Sequence, residues 1–257
     1  MGIGRATARL LAEEGARKPF TGTICTFGRM SVHVGDTDDV GFFRKLGFSA
    51  VESLDYSDFE GATHIVDLNQ PVPEHLKGRY DVVLDSGTME HVFHVPNALK
   101  NAVDLAKVGG RVIISAPSSN YMDHGFYMFS PTLFMDFFMA NELKVERFCI
   151  ARFSSDPMRP WRVYEYAPGD DAKFYVGALD AKVYGIFVVA TKTEGSTSDR
   201  IPQQGFYRRA WEGQPVAQYA GLKRVLARIP FGMSAAMWLR SRMLRRGLRG
   251  LRYVGKY

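Results

Sequence analysis

Two histidines in polar segments are the side chains best suited to move a proton. His124 follows Asp123 in an aromatic-rich segment, and His91 follows Glu90 shortly after an apolar run. An imidazole titrates near neutral pH, so His124, oriented by Asp123, is a candidate base for a hydroxyl group, and His91 is a second candidate. Each residue also has a structural alternative. His124 could form hydrogen bonds with backbone groups of an ordered loop, and Glu90 could stabilise the first turn of a helix through the helix dipole.

A strand, a helix and a second strand surround these residues. The apolar runs Asp81–Leu84 and Arg111–Ala116 are typical of buried parallel strands. Between them, apolar residues at helical spacing predict a helix over Asn97–Lys107, stopped by the pair Gly109-Gly110. The order predicts a parallel crossover unit.

Polar residues follow each of these two strands. The first strand leads into Asp85, Ser86 and Gly87, and the second leads into residues 116–120. Ligands of parallel α/β sheets lie beyond the carboxyl ends of the strands, because loops and helix N-termini converge there. The sequence therefore predicts a ligand crevice at this edge.

Similar patterns continue along the chain. Further strands are predicted at residues 23–27, 50–54, 63–66, 144–151 and 185–191, and helices at residues 1–15, 38–46 and from Ser130-Pro131 onward. Both cysteines, Cys25 and Cys149, fall in apolar runs, which predicts buried thiols rather than a disulfide and suits a reducing, cytoplasmic environment.

The pattern YDVV, EHV, AL, GG and VIISAP within residues 80–117 resembles the class I S-adenosylmethionine-dependent methyltransferase family. The resemblance extends from about Thr21 to Lys192. It implies an α/β fold with a doubly wound, Rossmann-like sheet of seven strands that closes in an antiparallel hairpin. It also implies S-adenosylmethionine as the cofactor and methyl transfer to a small-molecule acceptor, for which we consider a sugar or a lipid-linked glycan.

The resemblance also implies positions for the cofactor. The family's glycine-rich loop corresponds to Gly28, the glycine that stands directly after the first core strand, and Arg29 is a candidate partner for a carboxylate. Asp55 ends the second strand, where a carboxylate can accept hydrogen bonds from both ribose hydroxyls, or else cap a turn. Tyr56 could stack on adenine or pack under its loop.

Two further segments complete the predicted cofactor site. By position, Asp67 corresponds to the family's acid that accepts a hydrogen bond from the adenine amino group. Leu68 corresponds to the residue whose backbone amide binds the adenine ring. A turn-forming Asp-Leu-Asn segment is an equal alternative. The loop after the fourth strand adds Asp85, Ser86 and Gly87.

Two other functions compete with methyl transfer. The single glycine after the first strand favours a non-catalytic methyltransferase-like binding or scaffold module. The start Gly2-Ile3-Gly4-Arg5 resembles the cofactor helix of short-chain dehydrogenases, although that family needs a strand before these glycines. We expect no metal site, since the six histidines are scattered in the sequence.

Charge separates the end of the chain from the rest. The net charge is +6, but residues 198–257 carry 13 Lys and Arg against two acids. We therefore predict an N-terminal helix in residues 1–20, a methyltransferase-like domain in residues 21–192 with an insert at 154–182, and a linker with a basic helical tail in residues 193–257. An amphipathic basic helix over residues 233–252 suits an anionic membrane surface or an acidic partner, or else packs on the acidic domain. Nucleic acid is disfavoured, because aromatic residues do not alternate with the basic ones.

Overall fold

The computed structural model describes residues 2–35, 37–154, 156–166, 182–213, 238 and 252–257. A nine-stranded sheet forms its centre, and a two-stranded sheet pairs the start of the chain with a later loop. Helices cover both faces of the large sheet, so the predicted α/β architecture is confirmed.

The helices and strands follow one another as a doubly wound sheet requires. The strands are β1 Gly2–Ile3, β2 Thr23–Phe27, β3 Ser31–Val32, β4 Ala50–Asp55, β5 His64–Ile65, β6 Tyr80–Asp85, β7 Ala106–Ser119, β8 Lys144–Arg152, β9 Arg162–Glu165, β10 Tyr184–Thr191 and β11 Arg252–Lys256. The helices are α1 Arg5–Arg17, α2 Asp39–Lys45, α3 Val95–Leu105, α4 Pro131–Ala140 and α5 Gly205–Trp211.

The strand order in the large sheet is β11-β9-β8-β10-β7-β6-β2-β4-β5. Strands β5, β4, β2, β6 and β7 are parallel, whereas β10 lies antiparallel between β7 and β8. These seven strands are the predicted sheet with its closing antiparallel hairpin. Two strands of this sheet that the sequence did not predict, β9 and β11, extend it beyond β8.

Alternating side chains of the central strands divide the core into two layers. Val82 and Leu84 pack with residues of α1 and α2 on one face, whereas Val83 packs with residues of α3 and α4 on the other. Both faces are apolar, which explains why β6 reads as a continuous apolar run. Cys25 and Cys149 are free and buried, as predicted.

Glycines account for two differences from the predicted helix ends. Helix α1 continues through Gly15 to Arg17, so this glycine does not end the helix. A Cβ at Gly15 would lie 3.0 Å from Cδ2 of Phe20, and the glycine therefore makes room for this ring. Helix α3 ends at Leu105, and Gly109, at φ +80°, lies inside β7 beside a register shift. The pair Gly109-Gly110 therefore forms an irregularity in a long strand rather than a helix stop.

Most of the predicted tail helices, over residues 217–229 and 233–251, falls outside the described residues. What the structure does describe of this region is the short helix α5, Trp238 and strand β11, which joins β9 at the sheet edge. Residue 252, the last of the predicted basic helix, thus begins a strand. Within the described ranges, no helix has the length and apolar character needed to cross a membrane.

Candidate functional site

Three parallel strands end together and form the floor of the predicted crevice. In the sheet register, Phe27 lies beside Leu54 on one side and Asp85 on the other. Gly28 has φ +73°, and its amide donates a 2.7 Å hydrogen bond to the Leu54 carbonyl. A Cβ at Gly28 would lie 3.2 Å from Oγ1 of Thr88, so only glycine leaves this floor open.

Asp55 stands at the carboxyl end of β4 with one oxygen available. Its Oδ1 accepts a long 3.4 Å hydrogen bond from the Ser57 amide, and Oδ2 has no hydrogen-bond partner among the described residues. Oδ2 lies 3.7 Å from the position that a Cβ of Gly28 would take. Tyr56, the next residue, is 74% exposed, so its ring is accessible from the crevice mouth.

Arg29 is engaged by an acid of the following helix. Its Nε and Nη2 atoms donate to the two carboxylate oxygens of Asp39 at 2.8 and 2.7 Å, and Nη1 donates to the Gly61 carbonyl at 3.2 Å. Burial acts to raise the pKa of Asp39, but hydrogen bonds from Arg29 and from the Met30 amide outweigh it and hold that pKa below its usual range. The guanidinium therefore fixes the loop after Gly28 to α2 instead of standing free for a cofactor carboxylate.

Asp67, Leu68 and Asn69 form a turn, which is the structural alternative to adenine binding by this segment. Oδ1 of Asp67 accepts hydrogen bonds from the amide and the side chain of Asn69. The Leu68 carbonyl accepts from the side-chain amides of Asn97 and Asn101, which anchors this turn to α3. The turn is thus held at the crevice edge by helix side chains.

Strand β6 ends in a buried acid with an unpaired oxygen. Oδ1 of Asp85 accepts hydrogen bonds from the amides of Thr88 and Met89, whereas Oδ2 is buried with no partner among the described residues. Burial raises the pKa of Asp85 despite these hydrogen bonds. Ser86 is also buried, and Gly87 has φ +101°, which lets the chain turn away from the strand.

Glu90 lies inside the molecule rather than on an exposed first turn. Residues Met89–His91 form a single short 3-10 turn, and Glu90 within it is 0% exposed. Neither carboxylate oxygen has a hydrogen-bond partner in the part of the chain that the structure describes. Burial, and then the nearby charge of Asp85, raise the pKa of Glu90. The interpretation that Glu90 stabilises the first turn of a helix through the helix dipole is therefore wrong.

The loop after β7 brings His124 to this buried acid. Nε2 of His124 lies 3.6 Å from Oε1 of Glu90, and the rings of His124 and His91 are 5.2 Å apart, centroid to centroid. The Phe126 amide donates to the Glu90 carbonyl at 2.9 Å and so clamps the loop in place.

Asp123 does not have the orienting role that the sequence analysis gave it. It is exposed at φ +67°, and no hydrogen bond or ion pair connects it to another described residue. The carboxylate beside His124 is Glu90 instead. Sequence reasoning missed Glu90 because residues 90 and 124 meet only through the folded path of the loop.

Two histidines that are distant in the sequence lie close together in the structure, beside an acid. Glu90, His91 and His124 each offer a ligand atom, and these atoms lie within 4.8 Å of one another. Among the described residues, these three side chains form one group that could bind a metal ion, and we call this group the cluster.

A cavity of about 310 Å³ opens beside this cluster at the carboxyl ends of β6 and β7. Its polar lining includes Ser86 and Ser115, and its aromatic lining includes Tyr121, Phe153 and Trp161. Tyr121 also contacts His124, at 5.5 Å between ring centroids. The cavity wall thus includes Ser86 from the crevice and Tyr121, which is the ring neighbour of His124.

Comparison with known proteins gives matches in structure alone. No protein-family model matches the chain, and no curated protein sequence does. This chain is similar to a 1,6-didemethyltoxoflavin-N1-methyltransferase from Burkholderia thailandensis, which was solved with bound 1,6-didemethyltoxoflavin and S-adenosylhomocysteine (15% identity, 73% of this chain and 78% of that chain, TM-score 0.45).

Two further solved structures are comparable. One is the N-methyltransferase NodS from Bradyrhizobium japonicum (10% identity, 73% of this chain and 94% of that chain, TM-score 0.44). The other is a TehB-like S-adenosylmethionine-dependent methyltransferase from Corynebacterium glutamicum (18% identity, 74% of this chain and 89% of that chain, TM-score 0.42). The strand order of the large sheet, rather than these matches, assigns the fold as a doubly wound α/β sheet.

Proposed function

We propose that the chain is an S-adenosylmethionine-dependent methyltransferase that acts on a small-molecule acceptor. The observation that carries the proposal is the juxtaposition of Gly28 and Asp55 at the carboxyl edge of the sheet. A glycine that leaves the crevice floor open lies beside a carboxylate oxygen with no partner among the described residues. This pair suits a nucleoside that approaches the backbone closely and donates its ribose hydroxyls.

The neighbouring residues fit the remaining parts of the cofactor. Asp55 would accept the ribose hydroxyls, and the exposed ring of Tyr56 would cover the adenine. The turn at Asp67 and Leu68, anchored to α3, would bind the adenine edge. Arg29 would serve as a positioning residue, because its ion pair with Asp39 holds the loop that follows Gly28.

Asp85, Ser86 and Gly87 border the methionine end of this proposed site. The buried, unpaired Oδ2 of Asp85 is a ready acceptor for an ammonium group, since a buried carboxylate oxygen without a partner is costly. Ser86 lines the adjacent cavity and would lie between the cofactor and the acceptor.

The acceptor would bind in the cavity beside Ser86. Its volume of about 310 Å³ lies at the small end of the range for small-molecule sites. Serine hydroxyls and aromatic rings line it together, which suits the polar edge and apolar face of a sugar ring. We therefore propose a sugar or a lipid-linked glycan as the acceptor class.

The chemistry asks mainly for positioning. S-adenosylmethionine supplies an already activated methyl group on a sulfonium, so the protein needs to align the acceptor in line with it and remove a proton. His124 contacts Tyr121 of the cavity lining, His91 lies beside His124, and Glu90 is the carboxylate next to them. These side chains would serve the deprotonation of an acceptor hydroxyl.

A second candidate function is a non-catalytic binding module that keeps the fold. It is favoured by the loop after β2, which has Gly28 but lacks the further glycines of the family pattern. The dehydrogenase hypothesis is disfavoured, because Gly2–Ile3 pairs with β3 in a separate two-stranded sheet and not with the central strands.

We further propose that the basic segment over residues 233–252 of the tail binds an anionic membrane surface, which would make the protein peripheral to a membrane. The charge of residues 198–257 supports this, since basic segments are attracted to anionic lipid.

Calorimetric titration with S-adenosylhomocysteine tests the proposed function, with NADH and NADPH as comparison ligands. We expect micromolar binding that Asp55→Ala weakens at least about tenfold, since it removes a charged hydrogen-bond acceptor. Asp58→Ala, which removes an exposed acid from the same loop, is the matched control and should bind as the wild type does. Folded protein that binds no S-adenosylhomocysteine would favour the scaffold function, and preferential binding of a nicotinamide cofactor would favour the dehydrogenase.

A further inference from the structure

We propose that Glu90, His91 and His124 form a binding site for a divalent transition metal ion of the zinc class, which would hold the acceptor oxygen during methyl transfer. The binding site itself is inferred from the three side chains, whereas its role in methyl transfer rests on the proposed function.

The geometry of the three side chains comes first. Their ligand atoms lie within 4.8 Å of one another, and Nε2 of His124 is 3.6 Å from Oε1 of Glu90. Ligands around tetrahedral zinc lie about 2.1 Å from the metal, which separates them by about 3.4 Å. Side-chain rotations that move the imidazole nitrogens by about an ångström would complete this arrangement.

The buried carboxylate is the independent observation that points to a cation. Glu90 is 0% exposed, and both of its oxygens lack hydrogen-bond partners among the residues that the structure describes. Buried carboxylates in proteins are normally paired, hydrogen-bonded or bound to metal. A cation between Glu90 and the two imidazoles would satisfy these oxygens.

The backbone around the cluster supports it on two sides. The amides of Phe126 and Tyr127 both donate to the Glu90 carbonyl, at 2.9 and 3.3 Å. Gly125 allows this approach, since a Cβ there would lie 2.9 Å from the Glu90 carbonyl oxygen and 3.2 Å from Nδ1 of His91. The loop that contains His124 is thereby fixed against the turn that contains the other two ligands.

The donor set selects the kind of metal. Two imidazoles and one carboxylate suit zinc, cobalt or iron, whereas magnesium and calcium prefer oxygen ligands. Three protein ligands also leave positions open, as catalytic zinc sites do. His91 and His124 are exposed while Glu90 is buried, so the open positions face outward, where Tyr121 connects the cluster to the cavity.

An imidazole that binds the metal is not free to act as a base, so in this site the metal would replace His91 and His124 in promoting deprotonation. An acceptor hydroxyl bound at an open position would lose its proton to solvent more readily, because a metal lowers the pKa of a bound hydroxyl. The acceptor oxygen would then form a bond to the methyl carbon of S-adenosylmethionine. The carbon–sulfur bond breaks with its electron pair going to sulfur, which leaves S-adenosylhomocysteine and the methylated acceptor.

Cobalt titration of the full-length protein, stripped of metal with a chelator, tests the site. We expect about one equivalent of Co²⁺ to bind with the visible absorption of a nitrogen- and oxygen-ligated ion. Glu90→Gln and His124→Gln should each weaken cobalt binding at least about tenfold. His75→Gln removes an exposed histidine from another part of the chain and should leave binding unchanged.

Circular dichroism establishes that each variant is folded. Folded wild-type protein that binds no cobalt would overturn the proposal. So would equal cobalt affinity in the wild type, Glu90→Gln and His124→Gln, or a loss in His75→Gln as large as theirs. S-adenosylhomocysteine binding to the same stripped protein reports on the proposed function separately, since the cofactor residues lie outside the cluster.

Discussion

Nε2 of His124 lies 3.6 Å from Oε1 of Glu90, a carboxylate that is buried without a hydrogen-bond partner in the described structure. The two residues belong to loops after different strands, β6 and β7, which are neighbours in the parallel sheet. Their proximity follows from the shared carboxyl edge of these strands. It makes the acid–imidazole group a product of the sheet rather than of a local motif.

Replacing the buried acid should stabilise the metal-free protein. In the presence of a chelator, Glu90→Met is expected to raise the free energy of unfolding by about 1 to 3 kcal/mol, because it removes a buried polar group without partners. Urea denaturation measures the change. Glu60→Met, at an exposed acid, should stay within about 0.5 kcal/mol of the wild type. A destabilisation by Glu90→Met would mean that the carboxylate has a partner in solution.

Two glycines with similar backbone angles should differ in their effect on cofactor binding. Gly28→Ala and Gly61→Ala both replace a residue at positive φ, +73° and +68°, and each should cost about 1 kcal/mol of stability. A Cβ at position 28 would also meet Thr88 at 3.2 Å, whereas one at position 61 has nothing within 4 Å. Calorimetry should therefore find S-adenosylhomocysteine binding weakened in Gly28→Ala alone. Equal affinities in the two variants would contradict the proposed crevice floor.

The Arg29–Asp39 ion pair should make stability sensitive to acid. The pKa of Asp39 is lowered in the folded state, so its contribution is present above the ordinary pKa of 3.8 and is lost as the pH falls through the folded value. Asp39→Asn should lower the free energy of unfolding at pH 7 by about 1.5 to 3 kcal/mol. The difference from the wild type should shrink below pH 3.8, as followed by urea denaturation at a series of pH values.

Asp58→Asn, at an exposed acid, provides the comparison for that series. Its stability difference from the wild type should remain small at every pH. A difference for Asp39→Asn that does not change with pH would contradict the role of the Asp39 charge.

Both thiols should resist modification in the folded protein. Burial raises the pKa of Cys25, with a further contribution from the charge of Glu52, and burial also raises the pKa of Cys149. Since the thiolate is the reactive form, neither should react with an aromatic disulfide reagent at pH 8 within the time that unfolded protein needs to react completely. Rapid reaction of one thiol in the native protein would mean that its strand opens easily.

The basic tail should draw the full-length protein to anionic vesicles. We expect sedimentation with vesicles that contain phosphatidylserine, and loss of it at high salt, because the attraction is screened. The paired change Arg245→Gln and Arg246→Gln should weaken it by about thirtyfold, since each basic residue contributes about 1 kcal/mol. The paired change Arg159→Gln and Arg162→Gln, at two exposed positions outside the tail, is the comparison and should leave binding unchanged. Equal binding to neutral and anionic vesicles would contradict the proposal.

The amino-acid sequence alone determined where the sheet would form. Strand β2 has the predicted bounds, and Asp38 and Ser130 cap their helices by accepting hydrogen bonds from Gly41 and Thr132. Apolar runs, capping residues and glycines at strand ends act within a few positions of themselves, so a linear pattern is sufficient to read them.

Only the tertiary structure decided which polar groups meet. Arg29 turns to Asp39, Glu90 replaces Asp123 beside His124, and Arg252–Lys256 pairs with β9 at the sheet edge. Each of these contacts depends on strand register and on the path of a loop, which bring together residues that are distant in sequence. The burial that leaves Glu90 without a partner in the described residues likewise exists only once the loop after β7 has closed over it.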